Sequence, residues 1–305
     1  RRQRQMCIRD RCKAKVLAII VTYNPEIIRL TECINSLAPQ VERVILVDNG
    51  SNNSHLIKNI IINNLEIILL SENKGIAFAQ NHGVKKGLEA KEFDYLFFSD
   101  QDTCFPSDVI EKLKSTFTKN NKKGKNVACA SPFFKDHRSN YMHPSVCLNI
   151  FTSTKVICSE VDDDLYPSHV IASGMLMSRE AWRVVGPFCE KLFIDWVDTE
   201  WCWRALANNM IIVQTPSVII SHELGYGQKI FAGRSVTIHN SFRNFYKIRN
   251  AIYLMLHSNY SFKYRYHAFF HATKNIVFEI LYSKEKLNSL KVCFKAVRDG
   301  MFNNF

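Results

Sequence analysis

Long hydrophobic runs, a secretion signal and paired cysteines are all missing from this sequence of 305 residues. No apolar run approaches the length of about 18 residues that a bilayer-spanning helix needs, and the first residues contain no apolar stretch of the signal-peptide type. The ten cysteines include no Cys-x-x-Cys pair, which argues against a zinc framework. We therefore expect a cytoplasmic protein with reduced thiols and, at 47% hydrophobic residues, a sizeable core.

The two glycine-rich motifs that often bind nucleotide phosphates are also absent. The sequence contains neither the Gly-x-Gly-x-x-Gly of dinucleotide sites nor the Gly-Lys-Ser/Thr of a phosphate-binding loop. A sugar nucleotidyltransferase would need a Gly-rich, basic loop after its first strand, and residues 22–25 are Thr-Tyr-Asn-Pro instead. This pattern disfavours that class of enzyme.

Short apolar segments separated by helical patterns predict a parallel sheet. Residues 16–23, 41–47, 65–70 and 95–98 are rich in apolar residues, as strands buried on both faces are, and 211–220 is a later segment of this kind. Helical patterns end near Leu37 and Leu88, and three more helices are expected at 240–257, 262–282 and 285–298. The alternation predicts an α/β fold with a mostly parallel central sheet flanked by helices.

Polar side chains follow the first four predicted strands, at the edge where open parallel sheets bind ligands. Asp100 and Asp102 come directly after the aromatic strand, and carboxylates at this spacing can hold Mg²⁺ or Mn²⁺ together with a diphosphate. Groups suited to a base and a ribose follow the other strands: Thr22, Tyr23, Glu26, Asp48, Asn49 and Asn73. Each of these is also typical of a turn or a cap, but their recurrence favours a binding site.

Several motifs in sequence order resemble the family 2 inverting glycosyltransferases. They are Val-Thr-Tyr-Asn-Pro at 21–25, Val-Asp-Asn-Gly-Ser at 47–51, Glu-Asn-Lys-Gly-Ile-Ala at 72–77 and Asp-Gln-Asp at 100–102. The similarity continues through Ala-Ser-Gly-Met-Leu-Met-Ser at 172–178, the acidic, Trp-rich segment 193–204 and Ser-His-Glu-Leu-Gly at 221–225. Residues 243–250 resemble the tail motif of the rhamnosyltransferase branch, so the resemblance covers residues 16 to about 255.

This resemblance implies a metal-dependent glycosyltransferase fold of the A type and a nucleotide-diphospho-sugar donor. Lys74 and Gln101, which lie in its motifs, are expected to join the donor-binding residues named above. His222 ends a predicted strand, where a lone histidine is usually structural, but relatives place a metal-binding His at this motif. The implied metal site is therefore Asp100, Asp102 and His222, with Mg²⁺ or Mn²⁺ as cofactor.

Inverting transfer needs a carboxylate that takes the proton of the acceptor hydroxyl. A helix that starts near Val197 would put Asp198 in its first turn, where backbone amides hold a carboxylate. The resemblance favours Asp198 as this base, and Asp195 is the second candidate because Val197 stands where many relatives have an acid. The alternative is that Asp198 is a helix cap and Asp195 a loop acid.

The remaining predicted contacts involve the acceptor and the diphosphate. We expect Ser173 and Gly174 to form a wall close to the acceptor sugar, and Trp196 to stack on it unless the ring is part of the core. Arg243 and Arg249 carry guanidinium groups that match diphosphate oxygens.

The net charge of +12 is concentrated towards the two ends of the chain. Residues 1–15 hold seven basic residues and one acid, and residues 234–298 hold twelve Lys or Arg and two acids. Basic ends attract nucleic acid, anionic lipid or a phosphorylated substrate. A nucleic-acid-binding module is thus an alternative, but it does not explain the acids at 48, 100, 102, 195 and 198. Segment 262–271 mixes cations with aromatics, as do helices on anionic membranes and, equally, core helices with a basic solvated face.

We divide the chain into a basic segment at 1–15, a catalytic domain at 16–235 and a helical, basic and aromatic extension at 236–305. The catalytic domain has a nucleotide-sugar half at 16–104 and an acceptor half at 105–235. We predict an inverting glycosyltransferase that resembles bacterial dTDP-L-rhamnose transferases. Its acceptor would be a saccharide on a polyprenyl diphosphate, in O-antigen or related assembly at the cytoplasmic face of the inner membrane. A UDP-sugar donor is the alternative within this class.

Overall fold

A seven-stranded sheet forms the centre of the protein. The computed structural model describes residues 14–136, 141–222, 228–231, 234–237, 241–283, 285–303 and 305, without the side chains of 222, 228–231, 234–237, 241 and 282. The sheet order is β3-β2-β1-β4-β8-β5-β9. The strands, numbered along the chain, are β1 (Val16–Thr22), β2 (Arg43–Asp48), β3 (Leu65–Leu69), β4 (Tyr95–Asp100), β5 (Val127–Asp136), β8 (Met175–Ser178) and β9 (Ile211–His222). Two hairpins, β6 (Ser145–Leu148) with β7 (Ser153–Val156) and β10 (Gln228–Phe231) with β11 (Arg234–Thr237), lie outside this sheet.

Helices cover both faces of the sheet and form the C-terminal part of the chain. They are α1 (Ile27–Leu37), α2 (Ser54–Ile57), α3 (Ile76–Ala90), α4 (Val109–Lys122), α5 (Arg179–Val185), α6 (Val197–Ala207), α7 (Ser241–His257), α8 (Phe262–Tyr282) and α9 (Lys286–Met301). The predicted α/β class, with a mostly parallel sheet and a helical C-terminal region, is confirmed. Within the described residues, none of the helices combines the length and the hydrophobicity needed to cross a bilayer.

Strand β1 is buried on both faces, as its apolar sequence predicts, whereas the residues of the edge strand β3 are all half-buried. In β1, Leu17 and Ile19 belong to a cluster under α3, α5 and α6, whereas Ala18 and Ile20 belong to a cluster under α1 and α4. Successive side chains of a strand point to opposite faces, so a run without polar residues supplies both clusters at once.

Strand β8 is the one antiparallel member of the central sheet. It pairs antiparallel with β4 and with β5, while the other pairs in this sheet are parallel. Its N-terminal end therefore lies at the same edge as the C-terminal ends of β1, β2 and β4. We call this edge the rim, and the segment before β8 joins it only because of the reversed direction.

The three C-terminal helices form a small apolar core of their own. Ile248 and Ala251 of α7 pack with Ala272 of α8 and with Cys293 and Ala296 of α9. Trp196, which directly precedes α6, packs against this cluster and against the main core. The helices are therefore fixed against the segment that carries Asp195 and Asp198.

Candidate active site

At the centre of the rim, Gln101 joins β1 to the acidic segment after β4. Its Oε1 accepts the hydroxyl proton of Thr22 and the backbone N–H of Tyr23, both at 2.8 Å. Thr22 is buried, whereas the ring of Tyr23 is 47% exposed. Gln101 and Thr22 thus hold the acidic segment in position, and Tyr23 is the member of this group that a ligand can reach.

The ends of β2 and β3 are held together by amide and carboxylate side chains. Asp48 is fully buried and accepts the backbone N–H of Ser51 at 3.3 Å as well as its hydroxyl. Asn49 Nδ2 donates to Asn73 Oδ1, and Lys74 N–H donates to Asn49 Oδ1, both at 2.9 Å. These bonds shape the backbone of the rim, as the cap interpretation predicts, and the donor-binding role of the same residues stays a prediction.

Two predicted donor residues are exposed at the edges of this region. Glu26 precedes α1 and its carboxylate lies 3.8 Å from Arg29. The ammonium of Lys74 lies 3.7 Å from Glu72 and 5.2 Å from the ring centre of Phe78. Exposed pairs of this kind are weak, so both side chains can change partner when an anion binds.

The segment after β4 is fixed by Ser173 at the start of β8. The backbone N–H of Asp100 donates to Ser173 Oγ at 3.2 Å, and the hydroxyls of Ser173 and Thr103 are 3.1 Å apart. Ser173 is buried. Gly174 has φ = +80°, and a Cβ there would meet Pro132 at 3.0 Å. Both residues thus contact protein on this side, and their predicted contact with the acceptor remains untested.

Asp100 and Asp102 have the chemistry to hold a hard divalent cation. Asp102 Oδ1 is buried and has no hydrogen-bond partner within the described residues, although buried carboxylate oxygens nearly always have one. Asp102 also lines a cavity of about 430 Å³ together with residues that include Arg29, Glu32, Cys104 and Ser221. A buried carboxylate oxygen without a hydrogen-bond partner is suited to a cation ligand.

The third predicted metal ligand, His222, is the last residue of β9. Its backbone lies opposite Asp136 at the end of the β5–β9 pair, and its side chain lies outside the described residues. No group of three His, Cys, Asp or Glu side chains arranged for a metal occurs in the part of the chain that the structure describes. Two of the predicted ligands are therefore adjacent at the rim, and the third stays a prediction.

Asp198, the predicted general base, is held by two backbone N–H groups. It lies in the first turn of α6, where Oδ1 accepts the N–H of Thr199 at 2.7 Å and Oδ2 accepts the N–H of Ala172 at 3.3 Å. Burial raises the pKa of the Asp198 carboxyl to about 6, and the charges of Asp195 and Asp100 add to the rise. Asp198 and the rim acid Asp100 are therefore close enough for their charges to interact. At neutral pH this carboxylate is largely ionised and more basic than an ordinary aspartate.

Asp195, the second candidate base, is held in a forked ion pair. Arg243 donates from Nε and Nη2 to the two oxygens of Asp195 at 3.2 and 2.8 Å. Paired in this way, both oxygens of Asp195 are occupied by Arg243, and Arg243 is less available to a diphosphate. The geometry therefore favours Asp198 as the base.

Lys247 is a half-buried cation beside this pair. Within the described residues its ammonium has no ion-pair partner. Burial lowers the pKa of Lys247 to about 8, and the neighbouring charges of Arg243 and Lys274 contribute, while Asp195 opposes the change. Such a cation, which is influenced by the charge of Asp195 but forms no ion pair within the described residues, is suited to an anionic ligand.

Three other residues of the predicted site make contacts within the fold. The indole N–H of Trp196 donates to the backbone oxygen of Lys247 at 3.1 Å, and its ring packs against Trp203. Arg249 is buried and donates to Asn250 and to the backbone oxygens of residues 191 and 192. The sugar contact of Trp196 and the diphosphate contact of Arg249 stay predictions.

Glu200, the third acid of the catalytic segment, has a structural position. It is buried, and it accepts from Arg204 at 2.7 and 2.9 Å and from the hydroxyl of Tyr260 at 2.5 Å. These bonds connect α6 to the segment between α7 and α8, so Glu200 is not available as a base.

Sequence reasoning missed Phe193, which shapes the rim from the second half of the chain. Its backbone has φ = +62°, and its oxygen accepts the N–H of Ile76 at 2.8 Å, at the start of α3. A Cβ on Gly75 would lie 2.7 Å from Phe193, so only glycine fits there. The ring of Phe193 stacks on Tyr246 of α7 at 4.9 Å. In the sequence, Phe193 is marked only as the first residue of the motif at 193–204.

Comparisons with known proteins agree with this geometry. Residues 17–181 match the model of Glycosyl transferase family 2. Over 298 residues the chain is 32% identical to the dTDP-rhamnosyl transferase RfbF of Shigella flexneri, a match that covers 94% of this chain and 96% of that protein.

Two solved structures share the fold at low sequence identity. GalNAc-T7 with UDP, GalNAc and Mn²⁺ has a TM-score of 0.61 and 13% identity, over 95% of this chain and 56% of that one. TarS 1-349 of S. aureus in complex with UDP-GlcNAc has a TM-score of 0.57 and 16% identity, over 94% of this chain and 80% of that one. Both structures are complexes with a nucleotide or a nucleotide-sugar. At these sequence identities the similarity supports the fold alone.

The family predicted from the motifs is confirmed by the first two matches. The chain therefore belongs to glycosyl transferase family 2 and is a rhamnosyltransferase-like glycosyltransferase of that family.

Proposed function

We propose that this enzyme transfers L-rhamnose from dTDP-L-rhamnose to a lipid-linked saccharide, with inversion at the anomeric carbon. The donor is inferred from the name of the Shigella flexneri relative and its 32% identity over nearly the whole chain. The observation that carries the mechanism is Asp198, held by two backbone N–H groups and influenced by the charge of Asp100. The reaction would serve O-antigen or related polysaccharide assembly at the cytoplasmic face of the inner membrane.

In this mechanism each group of the rim has a separate task. Tyr23 and the amide network around Asn49 would hold the nucleotide, and Lys74 would contact its phosphates. Asp198 would accept the proton of the acceptor hydroxyl as that oxygen attacks the anomeric carbon from the face opposite the leaving diphosphate. The Thr199 and Ala172 N–H groups keep the carboxylate oriented towards the site. Lys247 would lie near an anionic part of a substrate.

Asp100 and Asp102, with His222 as a further ligand, would hold Mg²⁺ or Mn²⁺. The unpartnered Asp102 Oδ1 supports this assignment. When bound, such a cation neutralises charge on the leaving diphosphate. The protein groups described above orient the two substrates and move the proton.

Thermal stabilisation tests the donor and the metal together. A ligand that binds only the folded state raises its stability, so dTDP with Mg²⁺ or Mn²⁺ should raise the melting temperature more than UDP does. Asp102→Asn should lose the metal-dependent part of the shift. Asp108→Asn is the matched control, because that carboxylate is paired with Lys112 on the exposed start of α4.

The outcomes separate the alternatives. A larger response to UDP would replace the rhamnose donor with a UDP-sugar and leave the catalytic assignment intact. Equal metal-dependent shifts in Asp102→Asn and in the wild type would refute the metal site. Transfer itself is then measured with dTDP-L-rhamnose and lipid-linked saccharides, by release of dTDP.

A further inference from the structure

Helix α8 carries an apolar stripe that the described part of the protein leaves uncovered. Phe262, Phe269 and Phe270 are 63%, 51% and 56% exposed, and Val277 and Leu281 are 48% and 60% exposed. At 3.6 residues per turn these five side chains fall within an arc of about 120°, on one side of the helix. An uncovered apolar face along a helix of 21 residues marks a contact with a partner.

The stripe continues onto the turn between β6 and β7. Phe151 is 63% exposed, and its ring packs edge-on against Phe262 at 6.0 Å and against Tyr266 at 5.3 Å. Ile150 beside it is 56% exposed. We call Ile150, Phe151 and the five residues of the stripe the α8 face. Because side chains from two separate elements form the α8 face, it does not result from local fraying at one end of α8.

Charge determines which partner fits the α8 face. Lys263, Arg265 and Lys274 flank the stripe. The single acid of α8, Glu279, is buried and accepts from Asn244 and Ser289. Cations around an uncovered aromatic stripe suit anionic lipid headgroups with the rings in the acyl boundary. A second copy that docked through the same face would instead bring like charges together.

We propose that the α8 face docks the enzyme on an anionic membrane surface, with α8 lying in the plane of the lipid headgroups. The helix is roughly 30 Å long at 1.5 Å per residue, so the whole stripe can contact lipid at once. His271 of α8 packs against Trp196 at 5.4 Å, and Trp196 directly precedes the helix that carries Asp198. Docking therefore holds the catalytic segment about one helix diameter, roughly 10 Å, from the lipid surface. Only one further step rests on the proposed function, namely that the enzyme reaches its lipid-linked acceptor at this membrane surface.

Sedimentation of the 305-residue chain with vesicles tests the docking directly. Wild-type protein should bind phosphatidylcholine vesicles that contain phosphatidylglycerol, and bind pure phosphatidylcholine more weakly. Phe269→Ser with Phe270→Ser should weaken binding at least about tenfold, because two aromatic rings no longer enter the lipid. Ile61→Ser with Val184→Ser is the control, since these side chains are 92% and 44% exposed elsewhere and should not affect binding.

Charge variants test the choice of lipid. Lys263→Gln with Arg265→Gln should weaken binding to anionic vesicles by roughly 30-fold, at about 1 kcal/mol for each cation near the surface, and leave binding to neutral vesicles unchanged. Absence of wild-type binding to anionic vesicles, or equal binding by the Phe269→Ser, Phe270→Ser variant, would overturn the proposal. A dimer that this variant converts to a monomer, without any effect on vesicles, would assign the face to self-association.

Vesicle binding is measured without the sugar donor, so its result does not depend on whether the proposed transfer reaction is correct. Vesicle binding by an enzyme that fails to use dTDP-L-rhamnose would leave the docking intact and refute the proposed donor. If the double serine variant keeps wild-type transfer to a detergent-soluble acceptor and loses transfer to the same acceptor in vesicles, docking and catalysis are both supported.

Discussion

Replacing Asp198 with Asn should abolish catalysis and at the same time stabilise the protein. Loss of a positioned general base typically lowers kcat by 10²- to 10⁴-fold. The binding of dTDP should be unchanged, because Asp198 contacts backbone N–H groups of Thr199 and Ala172 and lies outside the predicted nucleotide contacts. A loss of kcat with an unchanged donor affinity is the signature of a base, whereas a helix cap would give a loss of folding.

The gain in stability follows from the raised pKa of Asp198. A rise from the ordinary 3.8 to about 6 means that the ionised carboxylate costs the folded state about 3 kcal/mol, at 1.36 kcal/mol for each pKa unit. Asparagine removes this cost, keeps an oxygen for Thr199 and loses the bond from Ala172, worth about 1 kcal/mol. The free energy of unfolding at pH 7 should therefore rise by about 2 kcal/mol, and the melting temperature by roughly 3 °C.

The difference in unfolding free energy between Asp198→Asn and the wild type should change sign with pH. Because folding raises the pKa of the Asp198 carboxyl, the folded state binds this proton more tightly than the unfolded state does. The wild type therefore loses stability as the pH rises from about 4 to about 6. Below about pH 4 both states are protonated, and Asp198→Asn should be the less stable protein by about 1 kcal/mol. Urea titrations without metal or donor, at pH values on both sides of this window, measure the crossing. Wild-type turnover, or a variant less stable than wild type at pH 7, would refute the assignment.

Three further predictions concern the same segment. The kcat of the wild type should rise with pH through a midpoint near 6, as Asp198 loses its proton, and a flat profile between pH 5 and pH 7 would contradict its role as base. Asp195→Asn weakens the pair with Arg243, so we expect a loss of about 1 to 3 kcal/mol in unfolding free energy but less than a tenfold loss of kcat; a loss equal to that of Asp198→Asn would make Asp195 the base. Glu200→Gln should cost about 3 kcal/mol in urea unfolding because it leaves the half-buried Arg204 partly unpaired, whereas Glu180→Gln, in an exposed pair, should cost less than about 1 kcal/mol.

Much of the sheet could be predicted because local pattern and burial agree. The predicted segments 65–70 and 95–98 correspond to β3 and β4, and the helix predicted at 262–282 has the observed bounds of α8. Strand β8 was not predicted. Its four residues are too few to show a period, and its antiparallel direction depends on pairing with β4 and β5, far away in the chain.

For the site, the sequence by itself determined which side chains end the strands, because an apolar run followed by a polar cluster specifies both a buried strand and its rim. It also determined that Asp198 stands in the first turn of a helix. Only the tertiary structure decided how the acids divide their tasks. Asp195 is paired with Arg243, Glu200 is buried with Arg204, and Asp198 keeps a raised pKa beside Asp100. Three carboxylates within six residues look alike in sequence, and the partners that distinguish them come from segments that only folding brings together.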